Sequence, residues 1–204
     1  MIRTFLLSFL VVFLAGCTTI TSPIQAYTLS PPSGVTLQQL TPQSSLSLKL
    51  AGTQAAPSLS GKALLYLTDH QEVGAYLYSR WNDAPGVMID RVLLASLDNA
   101  QLFSTLVPKT SYSNADWLLE STLLSFYHRI HENKTSDAYI DITYALINSK
   151  TRKTLASKRF IITSPAISMD APGGVTALTN ATHILSQQCT DWISDTLKEN
   201  KWTK

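Results

Sequence analysis

Between residues 116 and 163 the chain runs through three consecutive apolar stretches joined only by short polar connections, and that spacing limits the architectures open to it. The middle stretch, 139–147, sets Ile140, Ile142, Tyr144 and Leu146 on one face and Asp141 and Thr143 on the other. That is the two-residue period of a strand with one covered side. The third, 154–163, places Ala156, Phe160 and Ile162 together. The first, 116–131, is apolar at both parities, with Trp117, Leu119 and Leu123 on one and Leu118, Leu124, Phe126 and Ile130 on the other. It is predicted to be a long strand covered in part on both faces. Connections this short cannot hold a parallel crossover, so the three strands form an antiparallel meander.

Upstream, 46–50 alternates as a strand, and the small polar residues of 52–61 read as a loop. Residues 62–68 and 73–80 are strand-like, with Asp69-His70-Gln71-Glu72 as a hairpin connection. Tyr27-Thr28-Leu29 reads as a short strand before Pro31-Pro32, and 101–107 as another before Pro108. Two segments carry helical periodicity instead. In 87–99, Ile89, Val92, Leu93 and Leu97 share a face. In 175–198 the stripe is Leu178, Thr182, Leu185, Cys189, Trp192 and Thr196, widened by Ala181 and Ile193. Strands, helix, strands, helix imply an α+β domain over 27–204, with an antiparallel β-sheet and two main helices packed on one face.

The N-terminus answers a different question. Phe5 to Ala15 is an apolar run preceded by Arg3. It falls well short of the ~20 residues a membrane-spanning helix needs and has the layout of a bacterial secretory signal over 1–16. Its end, Leu14-Ala15-Gly16-Cys17, resembles the lipobox of bacterial lipoproteins. In that motif the thiolate of the cysteine accepts a diacylglycerol and the chain is cut before it. Cys17 is therefore the expected lipidation site, with 17–26 as a short tether. Acyl chains contributing about 0.8 kcal/mol per buried CH₂ make a stable anchor when several are attached. Thr18 rather than Asp follows the cysteine, which by analogy with enterobacterial sorting directs the protein to the periplasmic face of the outer membrane.

Sixteen Lys and Arg oppose 14 Asp and Glu. No basic stripe is present, so nucleic acid is not an expected partner. With Cys17 lipidated, Cys189 has no partner for a disulfide, and its place on the helical stripe marks it as a core residue. His128 and His131 lie an odd number of residues apart on a predicted strand. Their side chains then point to opposite faces and cannot share a metal ion. Gly173-Gly174 opens the last helix without a phosphate-loop pattern and reads as a plain flexible entry. No GxSxG motif appears. Neither a metal nor a diffusible cofactor is expected, only covalent acyl lipid on Cys17.

The candidate contact residues lie on the hairpin. Tyr66, Tyr76 and Tyr78 have the same parity and would form an exposed aromatic face if the hairpin borders the sheet. Burial under the helices is the other reading. Arg80 can pair with Asp83 or Asp90, or reach a lipid phosphate. Trp81 can plug the core between sheet and helix, or serve as an aromatic anchor for a protein or lipid.

A lipobox, a Tyr-x-Leu segment (Tyr27-Thr28-Leu29), a hairpin leading into Tyr78-Ser79-Arg80-Trp81-Asn82-Asp83-Ala84-Pro85, a helix with Leu93 and Leu97, the strand Ala115-Asp116-Trp117-Leu118-Leu119 running to Phe126, and a closing amphipathic helix follow one another in this chain. That order resembles the ABC-type transport auxiliary lipoproteins, the PqiC-like group. The chain departs from the pattern at Tyr127, where an acidic residue is expected. The resemblance implies a non-enzymatic subunit that anchors or docks a periplasmic MCE-domain protein of a PqiB-like type at the outer membrane, within an intermembrane lipid transport system. Self-association and contact with phospholipid are further implied partnerships. Two other readings stay open: an assembly factor of the pilotin or barrel-plug kind, and a tethered enzyme.

Overall fold

The computed structural model describes residues 23–31, 42 and 44–199. In chain order the elements are β1 (Gln25–Tyr27), β2 (Ser47–Ala55), a 3₁₀ turn (Pro57–Leu59), β3 (Ala63–Thr68), β4 (Val73–Trp81), α1 (Pro85–Ala100), β5 (Thr105–Val107), β6 (Trp117–Ile130), β7 (Ser136–Asn148), β8 (Thr154–Pro165) and α2 (Ala171–Glu199). Cys17 and the signal segment lie outside the described residues, and the expected 17–26 tether is shortened by β1, which begins at Gln25.

The meander forms as its short connections require. β7 runs antiparallel along β6 from Trp117↔Asn148 to Ile130↔Ser136, and β8 returns along β7. The other edge of β6 is shared by two parallel strands. β2 occupies its first half, from Leu48↔Trp117 to Ala55↔Leu123, and β3 its last residues, Tyr66↔His128 to Thr68↔Ile130. β5 extends β2 in parallel, and β1 extends the β3–β4 hairpin in parallel along β4. The α+β class with two helices on one face is as the sequence implies, but the sheet is mixed rather than purely antiparallel. The reason is that the chain between β2 and β6 contains α1, a connection long enough for a crossover.

The mixed parity of β6 has a simple cause. Its inward residues are Trp117, Leu119, Ser121 and Leu123, then Phe126 and His128. The pairing shifts between Leu123 and Ser125, and such a bulge exchanges the faces downstream. Each half is thus covered on one face only, in place of the expected cover on both. A second bulge, between Leu50 and Gly52, carries β2 on to Ala55 through residues expected to be a loop. Gly52 adopts φ +88° there, and a Cβ at this position would lie 2.3 Å from Lys109 Cδ. The expected strand 101–107 shrinks to three residues because Gln101 closes α1 in the left-handed region, with φ 49°. Leu102 and Phe103 are apolar for burial, at 2% and 4% exposure, and not for strand pairing.

The buried side chains form one cluster between the helices and the inner face of the sheet, from Leu29 to Ile193. In α2, Leu178, Ala181, Thr182, Leu185, Cys189, Ile193 and Thr196 face inward, and Trp192 packs partly buried with its ring 6.1 Å from Phe160. Burial pushes the Cys189 thiol far above its ordinary value. The helix starts at Ala171, earlier than its periodicity indicates, because the Gly173 N–H donates to Asp170 Oδ1 at 3.0 Å as an N-terminal cap.

Candidate interaction surface

The β3–β4 hairpin brings together most of the side chains that the sequence marks. Its turn closes with Gln71 at φ 64° and the Thr68 N–H donating to the Glu72 carbonyl at 3.0 Å. Tyr66 is paired with Gly74 in the sheet, and its ring lies across that glycine. The Tyr66 and Tyr76 rings meet edge to face at 5.2 Å. From there Tyr76 reaches inward.

At the inner end of Tyr76 is a buried polar knot. The Tyr76 hydroxyl is 2.7 Å from His128 Nδ1 and donates to the Met169 carbonyl at 3.3 Å. With the single hydroxyl proton assigned to that carbonyl, Nδ1–H of the imidazole donates to the tyrosine oxygen. His128 Nε2 is then an unprotonated acceptor, buried and without a partner among the described residues. Burial lowers the imidazole's proton affinity, against the opposing pull of Asp137 and Asp170. Burial, with Asp170 and Tyr66, pushes the Tyr76 phenol up to about 12. The start of α2 lies directly over the ring. A Cβ on residue 174 would stand 2.5 Å from His128 Nδ1, so the glycine pair serves close packing and not the flexible entry expected of it.

Tyr78 parts from the other two tyrosines. The two steps from Ala63 to Leu65 face the five from Arg80 back to Ala75. That irregularity exchanges the faces of β4. Gly74 and Tyr76 are the half-buried positions before it, Ser79 and Trp81 the covered ones after it. Tyr78 and Leu77 are left in solvent, and Arg80 is exposed as well. Trp81 is 1% exposed and tilts against Phe126 with centroids 5.7 Å apart, so it belongs to the core and offers no surface for a partner. Asp83 holds Arg91, at 2.6 Å, in place of Arg80.

His128 and His131 face opposite ways. His131 Nδ1 lies 2.8 Å from Asp69 Oδ1 and its Nε2 3.5 Å from Asp137 Oδ2. The Asp69 hydrogen bond raises its proton affinity most, with Asp137 adding to it. Arg129 completes the cluster with two 2.7 Å bonds to Asp137 and its guanidinium 4.5 Å from the Tyr139 ring. These contacts tie the β3–β4 turn to the β6–β7 turn.

At the far edge of the sheet, β8 pairs with β7 alone among the described residues. Between it and the second half of α2 lies an open cleft of about 570 Å³ whose lining includes Lys158, Trp192, Asp191 and Asp195. The sequence did not mark Val73 or Leu77 on the hairpin, Ile24 beside it, or Met169, whose carbonyl Tyr76 reaches, all exposed apolar residues. Only the fold brings them together.

The model of a family described as "ABC-type transport auxiliary lipoprotein component" matches residues 27–189. No curated protein matches the sequence. Among solved structures, a Xanthomonas campestris protein aligns with TM-score 0.76 at 18% identity, covering 87% of this chain and all of that one. An uncharacterized protein aligns with TM-score 0.65 at 14% identity, over 84% of this chain and 99% of that one. A Helicobacter pylori homologue of a neuraminyllactose-binding hemagglutinin aligns with TM-score 0.51 at 11% identity, over 85% of this chain and 96% of that one. At such identities these structures bear on the fold alone.

Proposed function

Because the chain belongs to the family of ABC-type transport auxiliary lipoprotein components, we propose that it is a non-enzymatic outer-membrane subunit of an MCE-type, PqiABC-like lipid transport system. The observation that carries this reading is the family match across 27–189, which spans the hairpin, the meander and most of α2. In this role, acyl chains on Cys17 hold the domain at the periplasmic face of the outer membrane. The domain docks the end of a periplasmic MCE assembly built from a PqiB-like protein. Two features support a docking role over catalysis. The hairpin's Tyr76 and Asp69 are tied to His128 and His131 of the neighbouring β6 segment. The acidic cleft beside β8 is wide and open. Self-association to match a ring-shaped partner, and direct handling of phospholipid, are extensions of the same proposal.

The test is an affinity pull-down of the full-length lipoprotein from detergent-solubilised envelopes, with mass spectrometry of co-purifying proteins and lipids. Recovery of an MCE-domain protein is the expected result. Recovery of a secretin or an outer-membrane barrel without any MCE protein would replace this reading with an assembly-factor role.

A further inference from the structure

Six of the eleven exposed large apolar side chains among the described residues belong to three adjoining segments at one edge of the sheet. Val73, Leu77 and Tyr78 are in β4, Ile24 directly precedes β1, and Ile167 and Met169 lie in the loop between β8 and α2. Two contacts join the segments. The register Gln25↔Ser79 sets Ile24 beside Tyr78, and the Tyr76 hydroxyl bonds the Met169 carbonyl. β1 pairs with Ser79–Trp81 only, so the outer edge of β4 from Val73 to Tyr78 has no neighbouring strand among the described residues. Leu77 is 77% exposed and Ile167 86%. Side chains this apolar and this open, gathered at one edge, call for a cover.

The course of the chain indicates which cover. The strand nearest the patch is the one that leads back to Cys17. Residues 18–22, six Cα steps, separate that cysteine from the first described residue, Pro23. Even fully extended they span only about 20 Å, at ~3.3–3.6 Å per residue. A lipid-bearing Cys17 holds the β1–β4 edge within that distance of the acyl layer. We infer that this edge rests on the lipid surface, with Ile24, Leu77 and Tyr78 entering the headgroup–acyl boundary. The inference rests on the lipidation of Cys17 proposed above and adds an orientation to it. A tyrosine at that boundary keeps its ring in the apolar side and its hydroxyl wet. The adjoining turn carries Asp69, Glu72 and, across from them, Glu132. Those carboxylates give anionic lipid no attraction to draw on, so apolar burial holds the edge down, and high salt, which screens the repulsion, should not weaken the contact. The docked edge turns β8, at the other side of the sheet, away from the membrane.

The test uses the full lipidated chain in phosphatidylethanolamine–phosphatidylglycerol vesicles with brominated acyl chains. A fluorophore is placed on Leu77→Cys or, as control, on Ile161→Cys in β8. Cys189 is fully buried and stays unlabelled. The expected result is several-fold stronger quenching at 77 than at 161, not weakened by high salt. A label on Tyr78→Cys should lose that excess when Leu77→Asp is added. Equal quenching at 77 and 161 in a protein that floats with the vesicles would overturn the docking and leave the anchor standing. A label at 77 that is shielded from water yet unquenched by bromine, and that cross-links to a second copy, would also overturn it. Failure of the protein to float with vesicles at all would remove the anchor and, with it, the docking.

Discussion

Removing the Tyr76 hydroxyl tests the buried knot that fastens the β3–β4 hairpin to the start of α2. In Tyr76→Phe the imidazole of His128, already short of a partner at Nε2, loses the acceptor for its Nδ1–H. A buried donor left without a partner costs about 1–3 kcal/mol. The Met169 carbonyl lies at the surface side and can turn to water, so it adds little. The single variant should lose about 1–3 kcal/mol in urea unfolding. His128→Leu should cost less than about 1.5 kcal/mol, since an apolar side chain of similar volume replaces a ring whose polar atoms were only half satisfied. In the His128→Leu background the Tyr76→Phe change should cost almost nothing, because no buried donor remains to be orphaned. The assay is a double-mutant cycle of urea midpoints at constant slope. Equal costs of Tyr76→Phe in both backgrounds would refute the Tyr76–His128 hydrogen bond. The pH dependence supplies a second readout. Burial depresses the His128 proton affinity below its ordinary value of 6.5. Stability from the neutral ring is then complete above that value and is lost as pH falls through the folded-state value. Wild type should weaken more steeply than His128→Leu on acidification below 6.5.

His131 has the opposite sign: Asp69 and Asp137 raise its proton affinity above 6.5, so its contribution is present below that value and is lost as pH rises through the raised one; His131→Gln should flatten that part of the stability profile measured by urea unfolding. Gly174→Ala should destabilise by about 1–3 kcal/mol in the same assay, since its Cβ meets the His128 ring and overpacking outweighs the helix-propensity gain. Trp81→Ala should cost about 3–5 kcal/mol, whereas Tyr78→Ala should fall within about 0.5 kcal/mol of wild type, a contrast that thermal unfolding would show at once. Cys189 should resist alkylation in the folded protein and react only when urea opens the core, because it is fully buried and its thiol is held protonated.

The meander and the two helices were legible because their periodicity is set by a single buried face. Ile140, Ile142, Tyr144 and Leu146 alternate without interruption, and the pairing of β7 follows. Bulges are where that legibility stops. The jump of inward positions from Leu123 to Phe126 in β6 is visible in the sequence as apolar residues at both parities. A bulge and two-sided cover produce the same pattern, and only pairing separates them. The irregularity in β4 is less visible still, and it draws Tyr76 inward while leaving Tyr78 outside. The parallel pairing of β2 and β3 on one edge of β6 depends on a crossover through α1, a long-range choice without local signal. Of the contact residues, the hairpin location was readable. The apolar edge was not, since Ile24 and Leu77–Tyr78 stand far apart in sequence and are brought together only by β1–β4 pairing.

Lipid on Cys17 is the claim on which both the transport role and the docked orientation stand. Its most direct test is the mass of the N-terminal peptide from protein purified out of bacterial envelopes. The account predicts a peptide that begins at Cys17 and carries a diacylglyceryl group with a further acyl chain on its amine, and its loss in Cys17→Ala with accumulation of the uncut precursor. A mature peptide that begins elsewhere, or one that holds Cys17 as an unmodified thiol, would contradict it.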